Sequence, residues 1–143
     1  MINNKNFSAN SRVKIIQKLY SHLLNPEEKI EFQKNQYKKF IKDVVEGTLE
    51  RKELIEEKIN LYLSTDISLN KTDKLLKIIL FAGIYEFMFK HNNPKKVIIS
   101  EYLKASEFFL EKAQIKYLNA ILDKISLKIR NENIWKWNNS QLF

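Results

Sequence analysis

The sequence predicts an all-α protein, folded as one domain or as two tightly packed helical halves. The chain has 143 residues, of which 44% are hydrophobic, and this is enough for a substantial core. It contains two glycines and two prolines, so few residues interrupt helices, and no alternating strand pattern persists. Apolar residues instead recur at steps of three and four, the period of a helix with one buried face.

The first predicted helix covers residues 11–24. Its apolar residues repeat at helical steps: Val13, Ile16, Tyr20 and Leu23. We expect Asn10 or Ser11 to cap its amino end, and Pro26 follows its carboxyl end. A second helix is predicted around residues 40–47, where Gly47 indicates a close approach by another helix.

A short third helix is predicted over residues 55–63, and residues 64–70 are expected to form a loop. The next helix, capped by Asn70 or Thr72, runs to about residue 90 and is apolar on every side, which predicts that other helices surround it. Two further helices are predicted, at residues 96–110 and along the stripe of residues 115–129.

The predicted domain division has three parts. Residues 1–10 form a flexible polar leader, residues 11–130 a helical domain, and residues 131–143 a tail that contains Trp135 and Trp137. No apolar run has the length of a signal peptide or a membrane span, so we expect a cytoplasmic protein with no membrane partner.

The composition argues against most enzyme classes. The chain has no cysteine, which excludes disulfides and thiol catalysis, and its two histidines cannot build a three-histidine zinc site. Two glycines cannot form a glycine-rich phosphate loop. We therefore expect a binding protein without catalytic residues, metal or cofactor.

The formal charge of +8 favours an anionic partner. Residues 1–26 contain four basic residues and no acid: Lys5, Arg12, Lys14 and Lys18. Lys14 and Lys18 are one helical turn apart, and together they form either a phosphate-binding face for RNA or DNA, or an ordinary solvated face. Because the chain has 22 lysines, 18 isoleucines and 15 asparagines, A+T-rich coding is another explanation for part of the charge.

Several segments in order resemble the NusB transcription antitermination factor family. They are RVKIIQKLY from residue 12, FIKDVVEG from residue 40, KIILFAGIYEF from residue 77, NPKKVIISEYLKAS from residue 93 and KYLNAILDKI from residue 116. The register holds without a gap across residues 76–124, and the resemblance covers about 115 residues.

The resemblance implies two packed helical bundles of about three helices each in one compact domain. It also implies a transcription antitermination factor that catalyses nothing. Proteins of this family bind the boxA element of ribosomal RNA leaders as a heterodimer with NusE, a ribosomal small-subunit protein, and join an antitermination complex on RNA polymerase. Homodimers occur in parts of the family, and the sequence leaves that state open.

The resemblance also assigns candidate site residues. For RNA it suggests Lys5, Arg12, Lys14, Lys18, Lys116, Tyr117 and Asn119. For the NusE-like partner it suggests Tyr20, Asp73, Leu76 and Phe81, of which Leu76 and Phe81 replace an acid and an arginine usual in the family. Tyr117 is either a base-stacking ring or a partly buried helix aromatic, and Asn119 either contacts RNA or holds the helix start.

Two alternatives remain open at this point. One keeps the fold as an RNA-binding adaptor in ribosomal RNA modification or ribosome assembly. The other is a helical protein-interaction module that does not bind RNA.

Overall fold

The computed structural model describes the backbone of residues 4–142 and the side chains of residues 11–132. Six α-helices follow one another in this part of the chain: α1 Asn4–Leu24, α2 Lys38–Glu50, α3 Lys52–Tyr62, α4 Lys74–Phe89, α5 Lys95–Ser106 and α6 Lys112–Leu142. A short 3₁₀ turn, Leu69–Lys71, precedes α4, and no strand occurs among these residues. The predicted all-α class is confirmed.

The central helix is α4, which packs against each of the other five helices. Its side chains are buried almost without interruption from Leu76 to Phe87. Since a helix that is apolar on every side must be enclosed by other helices, the sequence prediction for this segment is confirmed.

Three helices precede the connection 63–73 and three follow it. The two sets interlock, because α1 packs against α2, α4 and α5, while α6 packs against α3, α4 and α5. Buried side chains from all six helices form one hydrophobic core. None of the helices in the described residues has the length and apolar character needed to cross a membrane.

The structure corrects the predicted start of the first helix. α1 begins at Asn4 rather than near Ser11, and Ser11 is buried within the helix instead of capping it. Residues 4–10 carry no regular apolar stripe, so the pattern could not predict them as helix. They also contain no proline or glycine to stop the helix from extending.

The cap of α4 also differs from the prediction. Asp73, not Asn70 or Thr72, is the N-cap residue, and its Oδ2 accepts hydrogen bonds of 3.1 Å from the backbone N–H groups of Leu75 and Leu76. The Thr72 hydroxyl donates instead to the carbonyl of Ser68 at 2.5 Å. A carboxylate at this position also interacts favourably with the positive end of the helix dipole.

Gly47 allows α2 and α4 to approach each other closely. A Cβ atom at this position would overlap the ring of Tyr85. The sequence interpretation of this glycine as a point of helix contact is confirmed. α5 ends at Ser106, a turn earlier than residue 110, and the Ser106 hydroxyl donates to the Leu103 carbonyl at 2.7 Å.

Candidate nucleic-acid interface

Arg12 lies inside the protein, where α1 crosses α4. Its Nη2 and Nε donate to Oε1 and Oε2 of Glu86 at 2.7 and 3.1 Å, and the Glu86 side chain is fully buried. The rings of Phe40 and Tyr102 lie near the guanidinium, with centroids 4.7 and 5.7 Å from its Cζ. The guanidinium is therefore paired at its edge and enclosed by two aromatic side chains.

The ionisation of this cluster reflects its burial. Burial is the largest single effect and lowers the pKa of Arg12, but the charge of Glu86, the hydrogen bonds to it and the nearby Tyr102 and Glu101 together outweigh burial, and the pKa is raised. Burial, followed by the charge of Glu86, raises the pKa of Tyr102 well above its ordinary value. This placement argues against the expectation that Arg12 meets RNA phosphates, because the residue is only 7% exposed and its guanidinium is already paired with a carboxylate.

Lys14 and Lys18 lie on the opposite side of α1, where they line a cleft of about 130 Å³. The second wall comes from the segment that connects α1 to α2. We call this feature the α1 cleft, and its main lining residues are Lys14, Gln17, Lys18, Phe32, Gln33 and Lys38. The structure thus brings together two of the predicted RNA-binding lysines and adds a third that the sequence pattern did not single out.

The connecting segment is held in place by local hydrogen bonds. Oδ1 of Asn35 accepts from the backbone N–H of Tyr37 at 2.8 Å, and the Asn35 carbonyl accepts from the N–H of Lys38 at 3.1 Å. This turn leads directly into α2 and points the start of that helix towards α1. Lys38, as the first residue of α2, is therefore fixed at the edge of the cleft.

The electrostatics of the α1 cleft are uneven. Within the described residues, Lys14, Lys18 and Lys38 form no ion pair, whereas lysines on other helices pair with carboxylates, as in Lys58–Glu132 at 2.8 Å. An adjoining cleft shares Lys18 and is lined by Glu28 and Glu31 as well as Lys29. The arrangement leaves a concave surface with positive charge and no carboxylate in its lining.

The other predicted RNA-binding residues lie on α6. Lys116 and Asn119 are exposed in the first two turns, so Asn119 does not hold the start of this helix, which is at Lys112. Tyr117 is 39% exposed, and its hydroxyl donates to the Asp66 carbonyl at 2.6 Å. Burial, followed by the charge of Asp66, raises the pKa of Tyr117.

The α6 residues are not part of the α1 cleft, since the main packing partners of α6 are α3, α4 and α5. Tyr117 instead lines a shallow polar depression formed by residues 64–73. Lys5 lies outside the residues whose side chains are described, as do Trp135 and Trp137.

The predicted partner-binding residues divide into two groups. Leu76 and Phe81 are 3% and 6% exposed within the core, and this burial argues against the expectation that they contact a partner protein. Both are apolar residues on the helix that every other helix covers, which explains their burial. Tyr20 is half-buried on α1, and Asp73 is exposed but uses one carboxylate oxygen to cap α4.

No pattern in the sequence indicates the role of Arg130. Its Nε donates to the carbonyl of Phe87 at 2.9 Å, and Nη2 donates to the carbonyls of Lys90 and Asn93 at 3.3 and 2.9 Å. It therefore closes the carboxyl end of α4. Burial lowers the pKa of Arg130, and the charge of Glu86 partly opposes that shift.

The structure shows no cluster of three or more acidic or histidine side chains that could hold a metal ion in the part of the chain it describes. The α1 cleft also provides no carboxylate or imidazole for acid–base chemistry. Its lysines, amides and aromatic ring are suited to binding an anion that carries a planar group with hydrogen-bonding atoms.

Comparison with known proteins identifies the family. A family model described as the NusB family matches residues 1–127. Transcription antitermination protein NusB of Mesorhizobium japonicum is 36% identical over 89 residues, which are 62% of this chain and 57% of the relative. The protein of the same name from Nitrobacter hamburgensis is 33% identical over 91 residues, 64% of this chain and 57% of the relative.

The matches to these two relatives span little more than half of their length. A solved structure of T. maritima NusB, from its Form 2 crystals, has the same fold with a TM-score of 0.77 and 21% identity. That similarity covers 90% of this chain and 96% of the T. maritima chain. The extent of the family match and the common fold establish that this chain belongs to the NusB family.

Proposed function

We propose that this protein is a transcription antitermination factor that binds boxA-type RNA of ribosomal RNA leaders together with a NusE-like partner. The relatives carry the name transcription antitermination protein, and the family match extends over most of this chain. The observation that carries the proposal is the α1 cleft, because three lysines without a carboxylate form a binding surface for phosphates.

In this proposal the protein acts by binding and not by catalysis. Lys14 and Lys18 neutralise phosphates of single-stranded RNA, and Lys116 adds a contact on α6. The exposed part of the Tyr117 ring stacks on an unpaired base, since base stacking on aromatic side chains is the usual way in which single strands are held. The bound complex then joins RNA polymerase and makes it resist termination.

The partner surface is best sought near α1 and the start of α4. Tyr20 is partly exposed on α1, and Asp73 presents a carboxylate at the amino end of α4. Leu76 and Phe81 are excluded by their burial. A NusE-like protein would therefore meet this chain through Tyr20 and Asp73 rather than through the helix α4 itself.

A salt-dependent titration tests the RNA-binding part of the proposal. Labelled boxA RNA and a scrambled RNA are titrated with the protein at several salt concentrations, with and without the NusE-like partner. We expect the Lys14→Ala/Lys18→Ala double variant to bind more weakly and to lower the magnitude of the salt slope by roughly 0.7 for each lost phosphate contact on a single strand.

A matched control is available in α2 and α3. Lys42 and Lys52 are exposed helical lysines that each lie 4.0 Å from a glutamate one turn away. The Lys42→Ala/Lys52→Ala variant removes the same number of positive charges as the cleft variant. It should leave the salt slope of RNA binding nearly unchanged, because it removes no phosphate contact.

The outcomes separate the competing functions. Absence of RNA binding at low salt with the partner present would refute the proposal and favour a protein-interaction module. An RNA affinity that does not change when the NusE-like partner is added would favour an adaptor in ribosomal RNA modification or ribosome assembly. Preference for boxA over scrambled RNA, strengthened by the partner, would support antitermination.

A further inference from the structure

The α1 cleft has features that phosphate binding alone does not require. Phe32 presents a partly buried ring in the wall opposite α1, and the amide side chains of Gln17 and Gln33 line the same space. Amide groups offer donors and acceptors on one plane, which matches the polar edge of a nucleobase. An aromatic ring next to such groups provides a stacking surface.

The size of the cleft limits its occupant. Its volume of about 130 Å³ is well below the roughly 300–1,000 Å³ typical of pockets for drug-sized molecules and cofactors. It is also a concave feature rather than a flat patch, since α1 and the connecting segment form two facing walls. One planar ring fits such a space better than a complete dinucleotide or a structured RNA element.

The charge of the cleft favours an anion next to that ring. Lys14, Lys18 and Lys38 lie together without a carboxylate partner in the described residues, and their mutual repulsion is relieved when a phosphate group binds. The adjoining cleft lacks this excess of positive charge, because Glu28 and Glu31 are matched there by Lys18 and Lys29.

We propose that the α1 cleft receives one unpaired RNA base, stacked on Phe32 and hydrogen-bonded by Gln17 and Gln33, with its flanking phosphates held by the three lysines. This inference rests on the proposed RNA-binding function and adds a base-selective subsite to it. It also assigns the segment between α1 and α2 a direct part in recognition, in addition to its role as a connection.

An abasic scan tests the subsite. Each nucleotide of the boxA RNA is replaced in turn by an abasic ribose, and the dissociation constant is measured for the full chain and for Phe32→Leu. Leucine keeps the apolar contact with the core but provides no ring. We expect one position at which loss of the base weakens binding to the unchanged protein at least about 5-fold, a factor set by the strength of base–aromatic stacking.

The decisive result is the comparison between the two proteins. In Phe32→Leu, removal of the same base should produce little further loss, while every other position behaves as before. A 2-aminopurine at that position should be quenched by the unchanged protein and less by Phe32→Leu. Phe108→Ala is the aromatic control, because Phe108 is 71% exposed and lies outside the cleft.

A second pair of variants tests the phosphate contacts. Lys38 lines the cleft, whereas its exposed neighbour Lys39 does not. Lys38→Ala should weaken RNA binding several-fold and lower the magnitude of the salt slope, and Lys39→Ala should leave both nearly unchanged. Thermal melts of all variants confirm that they are folded before binding is compared.

Three results would overturn the inference. If RNA binds with normal salt dependence but no base position depends on Phe32, the cleft holds backbone only, and the proposed function stands without the subsite. If an acidic peptide or a fully abasic strand competes as well as RNA, the cleft is a general anion site. If no RNA binds at all, the proposed function and the subsite fail together.

Discussion

Removal of the Arg12 side chain tests the assignment of this residue to the interior. In Arg12→Ala the carboxylate of Glu86 remains fully buried, and it loses both charge-assisted hydrogen bonds, of 2.7 and 3.1 Å. Nδ2 of Asn93 remains as a donor at 3.4 Å from Oε1, and the buried Tyr102 hydroxyl also lies near the carboxylate. A long hydrogen bond from a neutral amide and a nearby hydroxyl cannot replace a guanidinium.

The magnitude follows from the burial of both partners. Loss of one member of a buried ion pair typically costs about 3–5 kcal/mol, because the other charge is left without a partner. That is a large part of the roughly 5–15 kcal/mol by which proteins of this kind are stable. For a chain of this length we expect the melting temperature to fall by roughly 10–20 °C.

A double-mutant cycle separates the pair from its surroundings. Arg12→Met and Glu86→Leu are measured singly and together by urea and thermal unfolding, followed by circular dichroism. Replacement of both partners by apolar side chains removes the buried charge altogether, so the double variant should be more stable than either single variant. This holds even if Arg12→Ala is too unstable to purify.

The cycle has outcomes that would refute this reasoning. A loss below about 1 kcal/mol in Arg12→Ala would place the pair in the range of exposed surface ion pairs. Additive losses in the double variant would mean that the two side chains are not coupled. If the double variant folds normally but no longer binds RNA, Arg12 would have to be assigned to the RNA interface after all.

Three further predictions concern other positions. Gly47→Ala should lower the free energy of unfolding by about 1–3 kcal/mol in urea melts, because its methyl group overlaps the Tyr85 ring; Tyr85→Leu should recover part of the loss. A gain in stability from helix propensity alone would contradict this. Asp73→Ala should cost about 1 kcal/mol through loss of the α4 cap, and Asp73→Asn much less; equal losses would exclude capping as the cause. Burial, then the hydrogen bond to Glu132 and its charge, raises the pKa of Tyr62 from 10.0 to about 12. Since the folded pKa is the higher one, the associated stability is complete below pH 10 and is lost as the pH rises towards 12. A tyrosinate absorbance titration should show a late component, and Tyr62→Phe should reduce its amplitude by the absorbance of one tyrosine, because Tyr102 also titrates late. A titration unchanged by that substitution would contradict the assignment.

The central helix was the easiest element to predict, and the reason is physical. Residues that are apolar on every side of a helix have no stable position at the surface, so the pattern alone places α4 inside the bundle. Gly47 could also be interpreted, since a glycine within a helix usually marks a close contact. In both cases local sequence contains the information that decides the structure.

The start of α1 and the cap of α4 show where local patterns fail. Residues 4–10 have no apolar period, and the prediction therefore stopped the helix at Ser11, although no breaker is present. Near α4 the sequence offers Asn70 and Thr72 as caps, but the cap lies one residue later than Thr72, at Asp73. Residues at the ends of a helix differ little in free energy between the helical and non-helical states, so a local pattern places these boundaries only to within one or two residues.

The candidate site was harder to predict because tertiary contacts define it. Arg12 lies in a stretch without acids, and the family resemblance suggests it as an RNA-binding residue. Its carboxylate partner is 74 residues away in the chain, and no local pattern connects them. The Phe32 wall of the α1 cleft comes from an irregular segment, where neither helix nor strand periodicity identifies which side chains face inwards.

The three arginines of this chain share a property that explains how its charge is distributed. Arg12 pairs through two nitrogens with a buried carboxylate, Arg51 lies 5.2 Å from the ring centroid of Phe89, and Arg130 binds three carbonyls. Each position uses the flat, forked guanidinium in a way that a lysine ammonium cannot reproduce.

Because all three arginines have structural contacts, the lysines are the basic side chains that the proposed RNA binding would use for phosphates. An ammonium is a point charge, so it adds affinity and salt dependence but little geometric selectivity. Discrimination between bases then has to come from aromatic rings and amides, and in the α1 cleft these are Phe32, Gln17 and Gln33. The lysine variants should therefore weaken boxA and scrambled RNA to a similar extent, whereas Phe32→Leu should reduce the preference between them.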